Sequence, residues 1–289
     1  MICITGAGGT VGREVVKQLE LAKVPFRVAY FSKEKVEAAL AKGIDAVIID
    51  YNQPETLRTA FQGCDKLFLL GPNALNQMQL ELNAVEAAKA VDVQHIVKQS
   101  VMGAEDEAFS LALLHRPVER VIESSGMAWT FLRASSFMQN VVTFMSETIR
   151  AESAFYSASG EAKIAHVDVR DIAAVAVKAL TEPTHAGHAY TLTGPEAITY
   201  DDLAQELSAV LGRSISHISL PPEDLKHGML AEGMPEAIAD RMLDLERYYR
   251  EGQANHITND IKQVTGHEPR RFAQYLRDYA SSLQPPLVA

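Results

Sequence analysis

Only two cysteines occur in the 289 residues, Cys3 and Cys64, and neither has metal-ligand spacing. Each sits in an apolar stretch, so both read as small buried hydrophobes of a reducing cytoplasm rather than as a disulfide frame. No apolar run approaches the ~20 residues that a membrane-spanning helix needs. A basic excess is missing too: 27 Lys and Arg against 37 Asp and Glu leave a net charge of −10, which argues against nucleic acid as a partner. An anionic small molecule is still allowed, because it needs only a local positive site. Met1 runs straight into "ICITGAGG" without a basic flank, so a signal peptide is not expected. Repeats, low-complexity tracts and long charge runs are also absent. With 47% hydrophobic and 22% charged residues, the chain reads as a folded cytoplasmic protein of one large domain, or one large and one small.

What is present is rhythm. Apolar runs such as "MICIT", "FRVAYF", "IDAVIID", "KLFLLG", "HIVKQSV" and "AWTFLRAS" alternate with amphipathic stretches such as "TVGREVVKQLELA" and "NQMQLELNAVEAAKAV". Strands apolar along their whole length suit a parallel sheet covered on both faces. Six of them alternating with helices predict an α/β fold: a Rossmann-type doubly wound parallel sheet with a smaller, mostly helical C-terminal lobe. The dinucleotide-type domain is expected over residues 1–150, with 151–183 returning to its sheet and 184–289 forming the smaller lobe. Helices are expected near 222–232, 235–251 and 270–282, and Thr199 is a plausible cap for "TYDDLAQELSAVLG". The tyrosines of "ERYYREG" either face a pocket or simply pack.

Between the first strand and first helix, "ITGAGGTVGREVV" places Gly6, Gly9 and Gly12 at three-residue intervals. Gly6 permits a tight turn, Gly9 lets backbone approach a pyrophosphate, and Gly12 lets helix and strand pack closely. The helix N-terminus, with the N–H groups of Thr10 and Val11, then faces the phosphates. A glycine triplet alone is weak, but the strand–loop–helix context makes this a dinucleotide site. At the end of the second strand an NAD-preferring loop usually carries an acid for the ribose hydroxyls. Here the residues are Tyr30, Phe31, Ser32 and Lys33, with Lys35 close behind. Ser32 can donate to a 2′-phosphate and Lys33 or Lys35 can pair with it, so NADP(H) is favoured over NAD(H). The lysines also read as solvated helix residues, and the missing acid is the stronger half of the argument.

A nicotinamide-dependent dehydrogenase of this layout should carry a Tyr-x-x-x-Lys pair; the matching slots in "LALLHRPVERVIESSG" hold His115 and Glu119. One reading starts a helix at Pro117, which makes Glu119 a third-position acid favoured there whatever the chemistry and leaves His115 in a loop. The other turns His115 toward the nicotinamide as proton donor or substrate contact. Without tyrosine and lysine, alcohol dehydrogenation is disfavoured, since an alkoxide needs a positioned acid. Hydride transfer into a delocalised acceptor needs none and gains chiefly from orientation.

Taken in order, "TGAGGTVG", "VKQSVMGA", the His-x-x-x-Glu slot, "TFLRASSFMQN", "GEAKIAHVDVRDIA", "YTLTGPEAITYDDLAQEL" and "TGHEPRRFAQYLRDYA" resemble the NmrA-like group of atypical short-chain dehydrogenase/reductases. Within that group the chain is most similar to bacterial NAD(P)H:quinone oxidoreductases and triphenylmethane dye reductases. One departure is Phe31, where relatives often carry arginine. The resemblance implies that Asp50 and Tyr51 lie near the adenine, and that Leu70, Gly71, Pro72 and Ser100 line the cofactor toward the nicotinamide. It implies that Phe137, Met138 and Asn140 border the nicotinamide and substrate, although Phe137 and Met138 read equally as core. Ser100 either meets a substrate oxygen or bonds neighbouring backbone. A quinone-type reductase is the favoured function. The alternative is a non-catalytic NADP(H)-binding redox sensor, and an epimerase suffers from the missing tyrosine and lysine. A homodimer is compatible with the sequence but nothing in it forces one.

Overall fold

The computed structural model describes residues 1–284. The apolar runs of the first half extend as β1 (Ile2–Ile4), β2 (Phe26–Tyr30), β3 (Asp45–Ile48), β4 (Lys66–Leu69), β5 (His95–Val101) and β6 (Ala128–Ala134). Between them lie α1 (Thr10–Leu21), α2 (Lys33–Leu40), α3 (Pro54–Phe61), α4 (Gln77–Ala90) and α5 (Ser110–Ser124). The chain continues through a π-helical turn (Val141–Met145), α6 (Ser146–Glu152), β7 (Ala154–Ser157), α7 (Val169–Thr181), β8 (His188–Leu192), α8 (Tyr200–Leu211) and β9 (Ser216–Ser219). It closes with α9 (Pro222–Ala231), α10 (Glu236–Arg250), α11 (Asp260–Thr265) and α12 (Phe272–Tyr279). Among the described residues, no helix is long and apolar enough to cross a membrane.

The main sheet has seven parallel strands in the order β3-β2-β1-β4-β5-β6-β8. One face is covered by α1, α2 and α7 through Val15, Leu19, Val36, Ile172 and Val175. The other is covered by α3, α4 and α5 through Phe61, Val85, Val118 and Ile122. A third core, including Phe109, Ile149, Phe155, Leu203, Leu207 and Phe272, fills a second lobe around the two-stranded β7-β9 sheet. Thr199 caps α8 as expected, accepting from the Asp202 N–H while the Asp202 carboxylate accepts from the Thr199 N–H.

Three sequence expectations change. Residues 151–183 return to the main sheet only in part: α7 packs on it, but β7 pairs with β9 in the second lobe. The seventh strand is β8, from beyond the expected boundary at 183/184, because its register beside β6 (Thr130↔His188 to Ala134↔Leu192) completes the sheet edge. Lastly, α5 begins at Ser110, not at Pro117, which lies inside the helix. The starting signal is remote: the Asp244 carboxylate of α10 accepts from the Ser110 N–H at 2.6 Å, and Phe109 stacks on Tyr248 at 4.4 Å. Pro117 removes only the bond to the Leu113 carbonyl, and Leu113 is exposed, so water can take its place. His115 and Glu119 therefore sit inside a helix, both buried.

Two glycines fix how α1 leaves the sheet. Gly6 adopts φ 63° against the Leu70 backbone, and the Gly9 N–H closes the turn onto the Gly6 carbonyl at 2.9 Å. At Gly12 an added Cβ would lie 2.2 Å from the Gly6 oxygen. Gly12→Ala is expected to cost on the order of 1–3 kcal/mol, because helix and loop must part to admit the methyl. Urea unfolding measures it, and an unchanged midpoint would show that α1 shifts freely.

Candidate active site

The strand order reverses at β1, so the loops leaving β1 and β4 diverge and open a crevice at the carboxyl ends of the strands. The second lobe roofs it, giving a cleft of about 1020 Å³. Gly6, Gly9, Thr10, Val11, Tyr30, Ser32, Lys35, Asp50 and Tyr51 line one end. Leu70, Gly71, Pro72, Ser100 and His115 line its middle, and Phe137 and Asn140 the far wall. The tyrosines of "ERYYREG", Tyr248 and Tyr249, line that wall, and side chains that the sequence did not single out complete it: Phe109, Leu111, Phe144 and Leu245. Thr143 and Phe144 come from the π-helical turn.

Two predicted residues fall elsewhere. Met138 is 1% exposed in the second-lobe core, because the turn after β6 directs Phe137 and Met138 to different surroundings. Lys33 turns to solvent and meets Glu37 at 3.7 Å, one helical turn on. Lys35 instead lies over the glycine loop, with its Nζ 3.0 Å from where a Gly8 Cβ would be. Ser32 reaches the cleft while capping α2: its Oγ accepts from the Lys35 N–H at 3.3 Å and its hydroxyl donates to Glu34 at 2.6 Å. Asp50 is held by the Asn52 N–H and the Gln53 amide, each at 2.9 Å, and the Tyr51 hydroxyl donates to the Leu70 carbonyl at 3.1 Å.

A dinucleotide fits the phosphate end on structural grounds. α1 has no side-chain cap at Gly9 and no acid in its first turn, so its first N–H groups are free to meet an anion. Gly12 does not line the cleft; it packs against Gly6 as its spacing implied.

The polar floor is built from two buried ionic groups. In one, Lys98 of β5, 0% exposed, donates to Glu81 Oε2 of α4 at 2.5 Å, to the Gln99 carbonyl at 3.0 Å and to His115 Nδ1 at 3.0 Å. Glu81 Oε1 accepts from the Gly71 N–H at 3.0 Å. In the other, Glu119 accepts from Ser100 Oγ at 2.7 Å, from Arg133 at 2.9 and 3.2 Å, and from Arg116 at 3.0 Å. Burial opposes ionisation of both carboxyls, but the surrounding cations and donors outweigh it and hold each below the ordinary glutamate range. Burial, with the Lys98 charge beside it, lowers His115 to about 4, so its imidazole is neutral. The sequence offered one overlooked signal, a lysine inside the otherwise uncharged strand "HIVKQSV".

Fold and site together define a dinucleotide-binding α/β protein with a two-lobed, largely apolar cleft. Residues 1–279 match the NmrA-like family, and the chain belongs to it. It is 35% identical over 283 residues to the NAD(P)H azoreductase of Xenophilus azovorans, covering 98% of this chain and 99% of that protein. The NADPH-dependent quinone oxidoreductase of Escherichia coli, solved with NADPH, superposes with a TM-score of 0.89 at 28% identity, covering 97% of this chain and 100% of that one. The NADP(H)-bound triphenylmethane reductase of Citrobacter sp. gives a TM-score of 0.85 at 27% identity, covering 96% and 99%.

His115 is one of three buried neutral histidines. Burial also lowers His95 to about 4 and His166 to about 3, whereas it pushes the buried Glu246 carboxyl up to about 7. Between pH 6.5 and 4.5 the three histidines take up protons only on unfolding, which destabilises the fold as pH falls. Glu246 does the reverse, because its folded form already holds the proton. These four groups give a net uptake of about two protons, a stability slope on the order of 3 kcal/mol per pH unit near pH 5.5. Urea titrations across this range are expected to show stability falling on acidification; a flat profile would mean that the histidines protonate in place.

Proposed function

We propose that this protein is an NAD(P)H-dependent reductase that passes hydride to a quinone-like, azo or other conjugated acceptor. The observation that carries the reading is a single cleft joining an open phosphate loop to an aromatic chamber, with no Tyr-x-x-x-Lys pair at their meeting point. Gly6 to Val11 and the first N–H groups of α1 would hold the pyrophosphate, and Asp50 and Tyr51 the adenosine end. A reduced nicotinamide bound there supplies the hydride. Phe109, Phe137, Phe144 and Tyr248 supply flat apolar faces that align a planar acceptor and exclude water. Ser100, whose hydroxyl is committed to Glu119, holds its position and does not give up a proton. A ketone, needing a strong acid for its alkoxide, is a poor substrate.

NADP(H) is the preferred cofactor in this reading, and Lys35 is the residue that carries the preference. Its ammonium overhangs the glycine loop at the end of β2, no carboxylate stands at residues 30–33 to claim the ribose hydroxyls, and Lys33 takes no part. The site of action is the cytoplasm, in keeping with two free buried cysteines.

Oxidation of NADPH and NADH should be followed with quinones, azo and triarylmethane dyes, and simple ketones. Turnover with conjugated acceptors but not ketones is expected; firm cofactor binding with no turnover at all would instead favour a redox sensor. Lys35→Ala should weaken NADPH by about tenfold and leave NADH nearly unchanged, the loss of one partly exposed charge-assisted contact. Equal weakening of both cofactors would remove Lys35 from 2′-phosphate recognition.

A further inference from the structure

The Lys98 ammonium has three N–H groups and three acceptors: Glu81 Oε2, the Gln99 carbonyl and His115 Nδ1. A lysine ammonium accepts nothing, so the contact with Nδ1 requires that nitrogen to offer its lone pair. The imidazole proton then resides on Nε2. Around the ring stand Lys98 on β5, Glu81 on α4 and Glu119 on its own helix, and neither carboxylate has a hydrogen bond to it. The neighbour of Nε2 is the Gln77 side-chain nitrogen at 3.5 Å, itself a donor. Reversing that amide would set its oxygen against Glu81 Oε1, which its nitrogen now faces at 3.4 Å. With a donor as its neighbour, the Nε2 proton is left without a protein acceptor, on a ring that lines the cleft together with Ser100 and Gln77.

We propose that Glu81 and Lys98 are positioning residues that hold His115 in one neutral tautomer, and that its Nε2–H selects acceptors carrying a lone pair conjugated to the centre being reduced, such as a quinone oxygen or an azo nitrogen. This rests on the reductase reading. Hydride, carrying two electrons, adds at one end of the acceptor's π-system. The displaced π pair collects on the heteroatom at the other end, which becomes anionic and accepts the Nε2–H hydrogen bond. The imidazole keeps its proton, since losing it would leave an imidazolate, and water protonates the product after release. A cationic triarylmethane dye gains nothing from this donor, because hydride addition at its central carbon cancels charge and creates no anion.

The tautomer is read without turnover, from two-bond ¹H–¹⁵N correlations of protein labelled with ¹⁵N-histidine, with His115→Phe assigning the signals. Expected is an unprotonated Nδ1 and a protonated Nε2, unchanged from pH 8 to pH 5. The opposite tautomer, or titration within that range, would overturn the proposal. Glu81→Gln with Lys98→Met removes both charges together and so avoids stranding either; loss of the single tautomer is expected, and its persistence would deny the pair a positioning role. For selectivity, kcat/KM is compared for a neutral p-benzoquinone and a cationic triarylmethane dye. His115→Phe should lower the quinone-to-dye ratio about 10- to 100-fold, the range for a hydrogen bond to a charged group, and His115→Gln, which keeps an N–H donor, should recover part of it. Equal losses with both acceptors overturn the selectivity. Wild-type turnover of neither acceptor overturns the reductase reading instead, and with it the acceptor class, whatever tautomer the spectra give.

Discussion

A lysine ammonium with no contact to solvent stands near the middle of the main sheet, and the cleft is organised around satisfying it. A charge there is tolerable only if it is paired and every N–H is used. Glu81 provides the counter-charge, which fixes the rotation of α4; its second oxygen holds the Gly71 N–H and so fixes the loop leaving β4. The remaining N–H groups settle the Gln99 carbonyl and the His115 ring. Such a pair adds little net stability over apolar packing. Its yield is geometric: strand, helix, loop and imidazole are held in one mutual arrangement at the point where the sheet opens.

The second ionic group repeats this logic. Glu119 is satisfied from β5, β6 and its own helix, so the floor on this side carries no uncompensated charge. Above it the walls are aromatic and aliphatic. The combination gives a planar conjugated molecule two different surfaces, a dry face for its ring and a fixed dipole for its edge. Electrostatics set in advance need no rearrangement as charge moves.

What could be read from the sequence was what short-range chemistry determines. Wholly apolar strands, the spacing of Gly6, Gly9 and Gly12, and the Thr199 cap each encode their structure within a few residues. The start of α5 did not, because its cap is Asp244, 134 residues away. Lys33 and Lys35 looked alike in sequence, yet two residues on a helix differ by roughly 200° in direction, so one faces solvent when the other faces the cleft. Phe137 and Met138 lie in a turn without periodicity, so composition alone left both open to cleft or core. β8 was misassigned because an edge strand closing a sheet looks like a strand of any sheet; only its register beside β6 places it.

The cores of the two lobes are threaded through one another. The chain passes to the second lobe after β6, returns for α7 and β8, leaves again for α8 to α10, comes back with Ile261 of α11 and ends on α12. α5 belongs to both, with Phe109 and Ala112 at its start in the second-lobe core and Val118 and Ile122 in the first. No single cut yields two pieces that each keep a whole core, and no single hinge can swing one lobe from the other. Opening one lobe from the other must therefore bend several crossing segments together. Any recombination that grafts a new acceptor chamber onto this nucleotide-binding half must carry several separate segments at once.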